Sequence, residues 1–269
     1  MEQKIGFIGL GNMGNAILQG ILLSNIVPGS QLYVYDHHPE KGQRLNQEYA
    51  VNNLNSEREV ARESDIVFIA VKPNVIVDVL NDIQKELKKN TIVISIAAGV
   101  TIKTIAKSVG YEQKIIRVMP NTPALVNAAM CSITPNTEVT DDELTIVQSL
   151  LNCIGETEVV PEYLIDAVVG ASGSSPAFVF MFIEAIADGA VKGGLSRKQA
   201  YKFAAQTVLG SAKLLLKTGK HPGELKDMVC SPAGTTIEGV QVLEEKGFRA
   251  AVIDAVEATI KKSKDLSEK

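Results

Sequence analysis

The chain has 269 residues, a formal net charge of −4, and a composition that is 45% hydrophobic and 22% charged. This length allows one large domain or two ordinary ones, and the composition is typical of a globular protein. A nucleic-acid partner usually requires a basic surface, which this acidic balance does not favour. The residues before the first motif are too few for a signal peptide, so we expect no leader segment.

Five short runs rich in β-branched residues alternate with helix-like stretches in the first half of the chain. The runs are apolar on both faces, which is typical of central strands in a parallel sheet covered by helices. Strands alternating with helices imply right-handed crossovers and a doubly wound parallel sheet. Strands are predicted over Lys4–Leu10, Leu32–Asp36, Asp65–Val71, Thr91–Ala97 and Lys114–Met119, and helices over Asn12–Ser24, Pro73–Leu87 and Ile102–Ser108.

Gly9, Gly11 and Gly14 form a G-x-G-x-x-G pattern between the first predicted strand and the first predicted helix. Gly9 permits the tight turn, Gly11 lets the backbone approach a pyrophosphate, and Gly14 lets the helix pack closely on the strand. The helix start offers unpaired N–H groups and its positive dipole end to phosphates. With Asp36 at the end of the second strand, the pattern predicts a dinucleotide site. The alternative is a plain strand–helix turn.

The second predicted strand ends in ionisable residues that bear on the choice of dinucleotide. Asp36 would hydrogen-bond the adenosine 2′-hydroxyl and thereby favour NAD. His37, His38, Lys41 and Arg44 follow, and they would neutralise a 2′-phosphate if Asp36 turned away. The sequence leaves both NADH and NADPH open.

Three cysteines, Cys131, Cys153 and Cys230, lie far apart, show no metal-ligand spacing and cannot all pair with one another. We therefore expect a reducing, cytoplasmic location. His37 and His38 also lack the spacing of metal ligands. No metal site is predicted, and these side chains are assigned structural or surface roles.

Strand signals end near the middle of the chain, and helix signals replace them. Ser196 and Gln199 have the spacing of a capping box, and Gly219 follows the last leucines of a helix as its C-cap. We therefore predict an α/β domain over residues 1–160 and an all-helical domain over residues 161–269.

The predicted helix over Ala177–Val191 carries only two charges, Glu184 and Asp188. A helix on the surface of a single subunit needs a polar face about half its circumference wide, which this helix lacks. Gly, Ser and Pro within the uncharged run 167–183, and the shortness of that run, argue against a membrane span. We therefore expect a second copy of the chain to cover this helix in an intimate homodimer.

A second loop with the features of an anion site lies in Ser231–Gly239. Thr235 and Glu238 have capping-box spacing, which predicts a helix start near Thr236. The small residues ahead of this start leave the backbone approachable, and free N–H groups there would bind a carboxylate. From these residues alone, an ordinary capped helix is an equal alternative.

Six short blocks follow one another in order over essentially all 269 residues. The blocks are GLGNMG (Gly9–Gly14), AVKP (Ala70–Pro73), SIAAG (Ser95–Gly99), RVMPNTP (Arg117–Pro123), SGSSPAF (Ser172–Phe178) and LKDMVCSPAGTTIEGVQVLE (Leu225–Glu244). Together they resemble the Δ1-pyrroline-5-carboxylate reductase family, and the last block is the most specific.

The resemblance implies an N-terminal Rossmann doubly wound parallel sheet followed by a C-terminal all-helical dimerisation and substrate-binding domain. It implies interlocked homodimers, which in this family often assemble into decamers. The implied reaction is reduction of pyrroline-5-carboxylate to proline by hydride transfer from NADH or NADPH to the C5=N carbon. Catalysis would be mainly positioning, since a protonated imine does not demand a strong protein acid.

The resemblance also implies roles for individual residues. Thr236 would hydrogen-bond the ring nitrogen as a donor or relay, because its pKa is too high for a free acid. For Asn121 a structural turn is the alternative, and for Lys72 a solvated charge. The implied catalytic residue is Thr236; the substrate-binding residues are Ser231, Gly234, Thr235, Thr236 and Asn121; the cofactor-binding residues are Gly9, Leu10, Gly11, Asn12, Met13, Gly14, Asp36, His37, Ala70, Val71, Lys72, Pro73, Ala97, Ala98 and Met119.

Two positions depart from the family pattern in SGSSPAF. Ser175 replaces a glycine and is expected to cap the helix that Pro176 begins. Phe178 replaces a tyrosine, so any polar role of that hydroxyl is lost.

Two alternative functions are compatible with parts of the sequence. A β-hydroxyacid-type dehydrogenase shares the architecture but needs a lysine in the interdomain helix, and residues 170–182 contain none, while Lys192 lies near the far end. A non-catalytic dinucleotide-binding regulator would combine an intact glycine loop with a degraded substrate loop, whereas both loops are intact here.

Overall fold

The computed structural model describes residues 2–267, which divide into two compact units. The first, here called the sheet unit, comprises residues 2–173 and 260–267. The second, the helical unit, comprises Ser174–Thr259. The domain boundary after residue 160 stays a prediction, and the long helical run of the C-terminal region begins at Glu162.

One eight-stranded sheet forms the centre of the sheet unit. Its strands are β1 (Ile5–Ile8), β2 (Leu32–Tyr35), β3 (Asn52–Asn53), β4 (Ile66–Ile69), β5 (Ile92–Ser95), β6 (Lys114–Met119), β7 (Ala129–Pro135) and β8 (Gly155–Val159). They lie in the order β3-β2-β1-β4-β5-β6-β7-β8, and all neighbours are parallel except β6 and β7. The strand order reverses at β1, so the predicted doubly wound sheet is confirmed.

Helices cover both faces of this sheet. They are α1 (Asn12–Ser24), α2 (Pro39–Tyr49), α3 (Glu57–Glu63), α4 (Ile76–Ile83), α5 (Ile102–Val109) and α6 (Asp141–Leu151), and a short helix α7 (Ile165–Val168) follows β8. Successive residues of a strand point to opposite faces. Phe7 and Phe68 therefore stack in one apolar cluster with ring centroids 4.7 Å apart, while Ile8 and Ile69 belong to a second cluster.

The structure differs from the sequence prediction in several elements of the sheet unit. The helix predicted over Pro73–Leu87 is shorter, because a turn closed by Val75 N–H and Lys72 O (3.1 Å) precedes α4. The pattern of apolar residues also does not predict β3, β7 or β8. The two residues of β3 are asparagines, and β8 has the sequence GETEV, so neither has the β-branched apolar run of a buried strand.

Beyond β8, the described part of the chain contains helices and no strand, which confirms the predicted all-helical C-terminal region. Its long elements are α8 (Ser175–Lys192), α9 (Arg197–Thr218), α10 (Pro222–Val229), α11 (Thr235–Glu245) and α12 (Phe248–Ser267). The capping box of Ser196 and Gln199 at the start of α9 is confirmed. Gly219 ends α9 with a φ of +63°, as predicted.

The last turns of α12 belong to the sheet unit rather than to the helical unit. Ser263 Oγ donates a hydrogen bond to Asp166 Oδ1 on α7 (2.6 Å). The Leu266 carbonyl lies near Gly99, where a Cβ would be 3.7 Å from its oxygen. The sheet unit is therefore assembled from two separate stretches of sequence.

The predicted capping role of Ser175 is wrong. An N-cap residue needs a non-helical backbone. The chain is already helical before α8, through α7 and a π-helical segment over Val169–Gly173, and Ser174 has φ −94° and ψ −29°. Ser175 is consequently the first residue of α8, with Pro176 in its first turn.

The surface of α8 within a single chain is largely apolar. Phe180 and Met181 are 64% and 68% exposed, and Ala187 is the one buried residue of this helix. The run Glu162–Lys192 is long and apolar enough to cross a membrane by length and composition alone, although the core helices of water-soluble proteins pass the same test. The absence of a membrane span therefore stays a prediction.

Candidate active site

The glycine loop joins β1 to α1 at the carboxyl edge of the sheet. Gly9 has a φ of +96°, and a Cβ there would lie 2.7 Å from the Ala70 oxygen. A Cβ at Gly14 would lie 2.5 Å from the Gly9 oxygen and 2.8 Å from Ala70 Cβ. A Cβ at Gly11 would meet no atom within 4 Å. Positions 9 and 14 thus need glycine for the packing of the protein itself, whereas position 11 faces open space.

The first turn of α1 has no side-chain cap. Its N-cap residue is Gly11, which is extended at φ −69° and ψ −177° and carries no acceptor side chain. The first N–H groups of a helix have no partner within the helix and carry the positive end of its dipole. The loop therefore presents donors and open space together, as a phosphate requires.

Asp36 directly follows β2 and lies beside this loop. Its Oδ2 accepts a hydrogen bond from Leu10 N–H (2.6 Å), and its Oδ1 accepts one from His38 N–H (2.9 Å). The Lys41 ammonium contacts the two oxygens at 3.1 and 3.2 Å. Burial raises the pKa of Asp36, but hydrogen bonds from His38, Leu10 and Lys41 outweigh it and hold that pKa below its ordinary value.

A cavity of about 300 Å³ opens where β1, β2 and β4 end. This is the point at which the strand order reverses, where open α/β sheets bind dinucleotides. Seven predicted cofactor residues line it: Gly9, Gly11, Asp36, His37, Ala70, Val71 and Lys72.

Several cavity residues do not follow from the sequence motifs. Tyr35, Glu57, Val75 and Val79 line the same wall. Burial, and then the negative charges of Glu57 and Asp36, raise the pKa of Tyr35. The two valines are four residues apart just after Lys72, and this helical spacing is the one signal that the sequence offers for them.

The other predicted cofactor residues lie outside this cavity wall. Asn12, Met13 and Gly14 form the first turn of α1, and Pro73 lies in the turn before α4. Ala97 and Ala98 follow β5, and Met119 ends β6, which is parallel to β5. Because parallel strands end at a common edge, these residues lie on the same edge as the glycine loop.

The side chain of Asn121 is fully engaged within the sheet unit. Its Nδ2 donates to Ser172 O (3.2 Å) and Ser172 Oγ (3.0 Å), and its Oδ1 accepts from Met130 N–H (3.0 Å). This amide joins the loop after β6 to β7 and to the π-helical segment. The geometry favours the structural alternative, and contact with nicotinamide or substrate stays a prediction.

The predicted substrate loop precedes α11 in the helical unit. The capping box expected from Thr235 and Glu238 is wrong, because α11 already begins at Thr235 and its N-cap is Gly234. Gly234 N–H closes a turn with Ser231 O (3.0 Å), and the helix starts one residue earlier than predicted. A Cβ at Gly234 would lie 2.5 Å from Ser231 Oγ and 3.0 Å from Ser231 O, so a larger residue there would require Ser231 to shift.

The corrected helix start bears on the two alternatives for this loop. No side chain caps the first turn of α11, so the ordinary capped helix is not what the structure contains. Ser231 and Thr235 are exposed, and Thr236 is half-buried in that first turn. Free N–H groups and two hydroxyls are thus available to an anion.

Known proteins resemble this chain over its whole length. A family model described as pyrroline-5-carboxylate reductase dimerisation matches residues 162–266, and one described as coenzyme F420-dependent NADP oxidoreductase matches residues 4–99. A pyrroline-5-carboxylate reductase from Escherichia coli is 57% identical over 268 residues, which cover 100% of both chains. The chain belongs to the pyrroline-5-carboxylate reductase family.

Solved structures of pyrroline-5-carboxylate reductases share this architecture. The protein from Coxiella burnetii is 32% identical, with a TM-score of 0.94 over 99% of each chain. The pyrroline carboxylate reductase of Plasmodium falciparum, with NADP bound, is 36% identical, with a TM-score of 0.88 over 99% of this chain and 98% of that one. The predicted Rossmann sheet with a helical dimerisation region is therefore confirmed.

Membership of the pyrroline-5-carboxylate reductase family agrees with the absence of a lysine at the start of α8. The β-hydroxyacid alternative requires a lysine within residues 170–182, which form the π-helical segment and the first part of α8 and contain none. Lys192 is the last residue of α8. Nothing in the described site favours that alternative.

Proposed function

We propose that this chain reduces Δ1-pyrroline-5-carboxylate to L-proline with NADPH or NADH, which is the last step of proline synthesis. The observation that carries this proposal is the full-length similarity to pyrroline-5-carboxylate reductases. The glycine loop and the uncapped start of α11 are both intact, whereas a non-catalytic dinucleotide regulator would need only the glycine loop.

The residues of the sheet unit fit a dinucleotide. Gly11 leaves space where any other side chain would stand, and the uncapped start of α1 would hold the pyrophosphate. The cavity wall from Ala70 to Lys72 would contact the adenosine half. Ala97, Ala98 and Met119 would contact the nicotinamide half. A bound NADPH or NADH supplies the hydride.

The loop before α11 would hold the carboxylate of the substrate. The N–H groups of Thr235 and Thr236 have no side-chain cap, and the Ser231 and Thr235 hydroxyls are exposed beside them. A carboxylate at a helix start gains charge-assisted hydrogen bonds and a favourable interaction with the dipole. Gly234 would serve this site by allowing the tight turn.

The chemistry requires little acid–base work from the protein. When the ring nitrogen is protonated, hydride adds to C5, the π electrons of the C5=N bond become the nitrogen lone pair, and the product is a secondary amine. The Thr236 hydroxyl would donate a hydrogen bond to that lone pair as it develops. Holding the reacting carbons in place supplies up to about 7–11 kcal/mol of barrier reduction.

The exposed surface of the helical unit supports a homo-oligomer. Phe178, Met181, Phe182 and Phe248 line an apolar groove of about 630 Å³. An exposed apolar surface of this kind marks an interaction site, and the match to a dimerisation model supports a second copy of the chain as the partner. We further propose that the dimers assemble into decamers, and that the enzyme works in the cytoplasm, where three free cysteines stay reduced.

The purified full-length chain tests this function directly. We expect loss of NADPH or NADH absorbance only when pyrroline-5-carboxylate is added, with proline accumulating in equal amount. A β-hydroxyacid offered with NAD or NADP is the control and should give no turnover. A preparation that binds dinucleotide yet oxidises neither cofactor in the presence of pyrroline-5-carboxylate would overturn the proposal.

A further inference from the structure

The carboxylate of Asp36 has no free acceptor position for a ribose hydroxyl. A carboxylate offers about four lone-pair sites. Leu10 N–H occupies one on Oδ2, His38 N–H occupies one on Oδ1, and Lys41 Nζ contacts both oxygens. The ring of His38 lies 3.2 Å from Oδ1 as a further neighbour. The side chain is 9% exposed, so little of it faces an incoming ligand.

These contacts give Asp36 a role inside the protein. Leu10 lies between Gly9 and Gly11, so its N–H belongs to the glycine loop itself. The hydrogen bond to Asp36 therefore ties this loop to the end of β2. Any dinucleotide would depend on that tie, whether or not its ribose carries a phosphate.

Lys41, unlike Asp36, keeps a hydrogen-bonding group that is free to contact a ligand. An ammonium has three N–H donors, and two of them are directed at the oxygens of Asp36. One donor is left over, and the side chain is 37% exposed and lines the cavity. A phosphate oxygen can accept this donor in a charge-assisted hydrogen bond. A ribose hydroxyl could also accept a hydrogen bond from Lys41, but it lacks the negative charge of a phosphate and so gains less from the ammonium.

The rest of the cavity wall does not reverse this preference. Its other charged residues are one acid, Glu57, and one base, Lys72. Together with the Asp36–Lys41 pair, these charges cancel. His37 and His38 add ring nitrogens, which become cationic when protonated. The wall thus presents no uncompensated negative charge to a phosphate.

We propose that Lys41 is the residue that selects NADPH over NADH, and that Asp36 acts as a tie for the glycine loop rather than as the ribose acceptor. This inference rests on the proposed function, since it concerns the dinucleotide of that reaction. It resolves the choice that the sequence leaves open between a 2′-hydroxyl and a 2′-phosphate.

Two fragments of the cofactors isolate the 2′ position. Titration calorimetry of the full-length protein with 2′,5′-ADP and with 5′-AMP measures binding without turnover. We expect wild type to bind 2′,5′-ADP at least about tenfold more tightly, the effect of one charge-assisted hydrogen bond. Lys41→Gln should remove most of this ratio by weakening 2′,5′-ADP alone, and Lys41→Arg should restore it. Lys89→Gln, which removes an exposed charge that does not line the cavity, is the matched control.

Asp36→Asn distinguishes two possible roles of Asp36, one as the hydrogen-bond acceptor that holds the glycine loop and the other as the acceptor of the ribose hydroxyl. If Asp36 holds the glycine loop in place, the substitution should lower the affinity for both fragments by a similar factor and lower the Tm of the protein without ligand. As a ribose acceptor, its loss would weaken 5′-AMP and spare 2′,5′-ADP. The second pattern would overturn the proposal.

Failure of this inference can be distinguished from failure of the proposed function. Equal affinity of wild type for the two fragments, or an equal loss of both in Lys41→Gln, would overturn the role of Lys41. Reduction of pyrroline-5-carboxylate with NADH would still stand in that case. If neither fragment binds and neither cofactor supports turnover, both proposals fall.

Discussion

In the sheet unit, Phe7 and Phe68 are fully buried within one chain, whereas the buried cluster of the helical unit consists of three alanines, Ala187, Ala200 and Ala204. On α8, by contrast, Phe180, Met181 and Phe182 are exposed in the single chain. The sheet unit therefore has a hydrophobic core within one chain, whereas the helical unit has a small buried cluster and leaves large apolar side chains of α8 exposed. We expect dinucleotide binding to require one chain only, and turnover to require the association that covers α8.

The largest expected effect comes from blocking that association. Met181→Asp places a charge in the apolar groove of α8, and burying an unpaired charge costs several kcal/mol. We expect the protein to become monomeric by light scattering and to lose at least about a hundredfold in reduction rate, while calorimetry shows 2′,5′-ADP binding within about twofold of wild type.

The matched control for this change is Tyr111→Asp, which alters an exposed aromatic side chain of the sheet unit. It should change neither oligomeric state nor turnover. If Met181→Asp stays oligomeric and active, the helical unit does not need a second copy to cover α8, and the contrast with the sheet unit is wrong.

A smaller effect is expected at the substrate loop. Thr236→Ala removes a hydroxyl from the first turn of α11, and we expect kcat to fall by about ten- to a hundredfold, the cost of leaving the developing nitrogen lone pair without a hydrogen-bond donor. Affinity for the dinucleotide should be unchanged by calorimetry, and Thr236→Ser should restore most of the rate. Equal loss of cofactor binding and turnover would show that Thr236 is structural.

The glycine loop offers a pair of variants that separate packing from ligand contact. Gly14→Ala should lower the Tm by about 3–10 °C, because its Cβ would lie 2.5 Å from the Gly9 oxygen. Gly11→Ala should leave the Tm within about 2 °C and weaken NADPH by about tenfold or more. Differential scanning fluorimetry and calorimetry check the two effects. A large Tm loss in Gly11→Ala would contradict the open space seen at that position.

The smallest effect concerns acid sensitivity. The pKa of Asp36 is lowered in the folded protein, so its ionised form stabilises the fold above the unfolded value of about 4. That stabilisation is lost as the pH falls through the folded pKa. The stability difference between wild type and Asp36→Asn, measured by urea unfolding, should therefore shrink below about pH 4. Glu224→Gln, which removes an exposed ion pair of the helical unit, should show little difference at any pH.

The sheet was predictable at its centre and not at its edges. Each predicted strand overlaps an observed one, because central strands are apolar on both faces and this is visible in sequence. Asn52–Asn53 and Gly155–Val159 pair with neighbouring strands without such a pattern. These residues form strands because the neighbouring strands β2 and β7 pair with their backbones. The residues of β3 and β8 alone do not reveal this pairing.

The site divides in the same way. The three glycines could be predicted, because each has a distinct steric reason that follows from the motif. The direction of the Asp36 carboxylate could not, because it depends on where Leu10 N–H and Lys41 lie after folding. The helix start near Thr236 was predicted to within one residue, but its cap residue was not, because the turn from Ser231 to Gly234 makes Gly234 the N-cap in place of Thr235.

The position of the last turns of α12 in the sheet unit affects the order in which the chain can fold during synthesis. Residues 260–267 leave the ribosome only after the whole of Ser174–Thr259, so the hydrogen bond from Ser263 to Asp166 forms after the helical unit has been synthesised. Domains usually fold in order as they emerge. Here the nascent N-terminal part must wait for a late segment before its last contacts close, and translation that stops early would yield a nucleotide-binding unit without them.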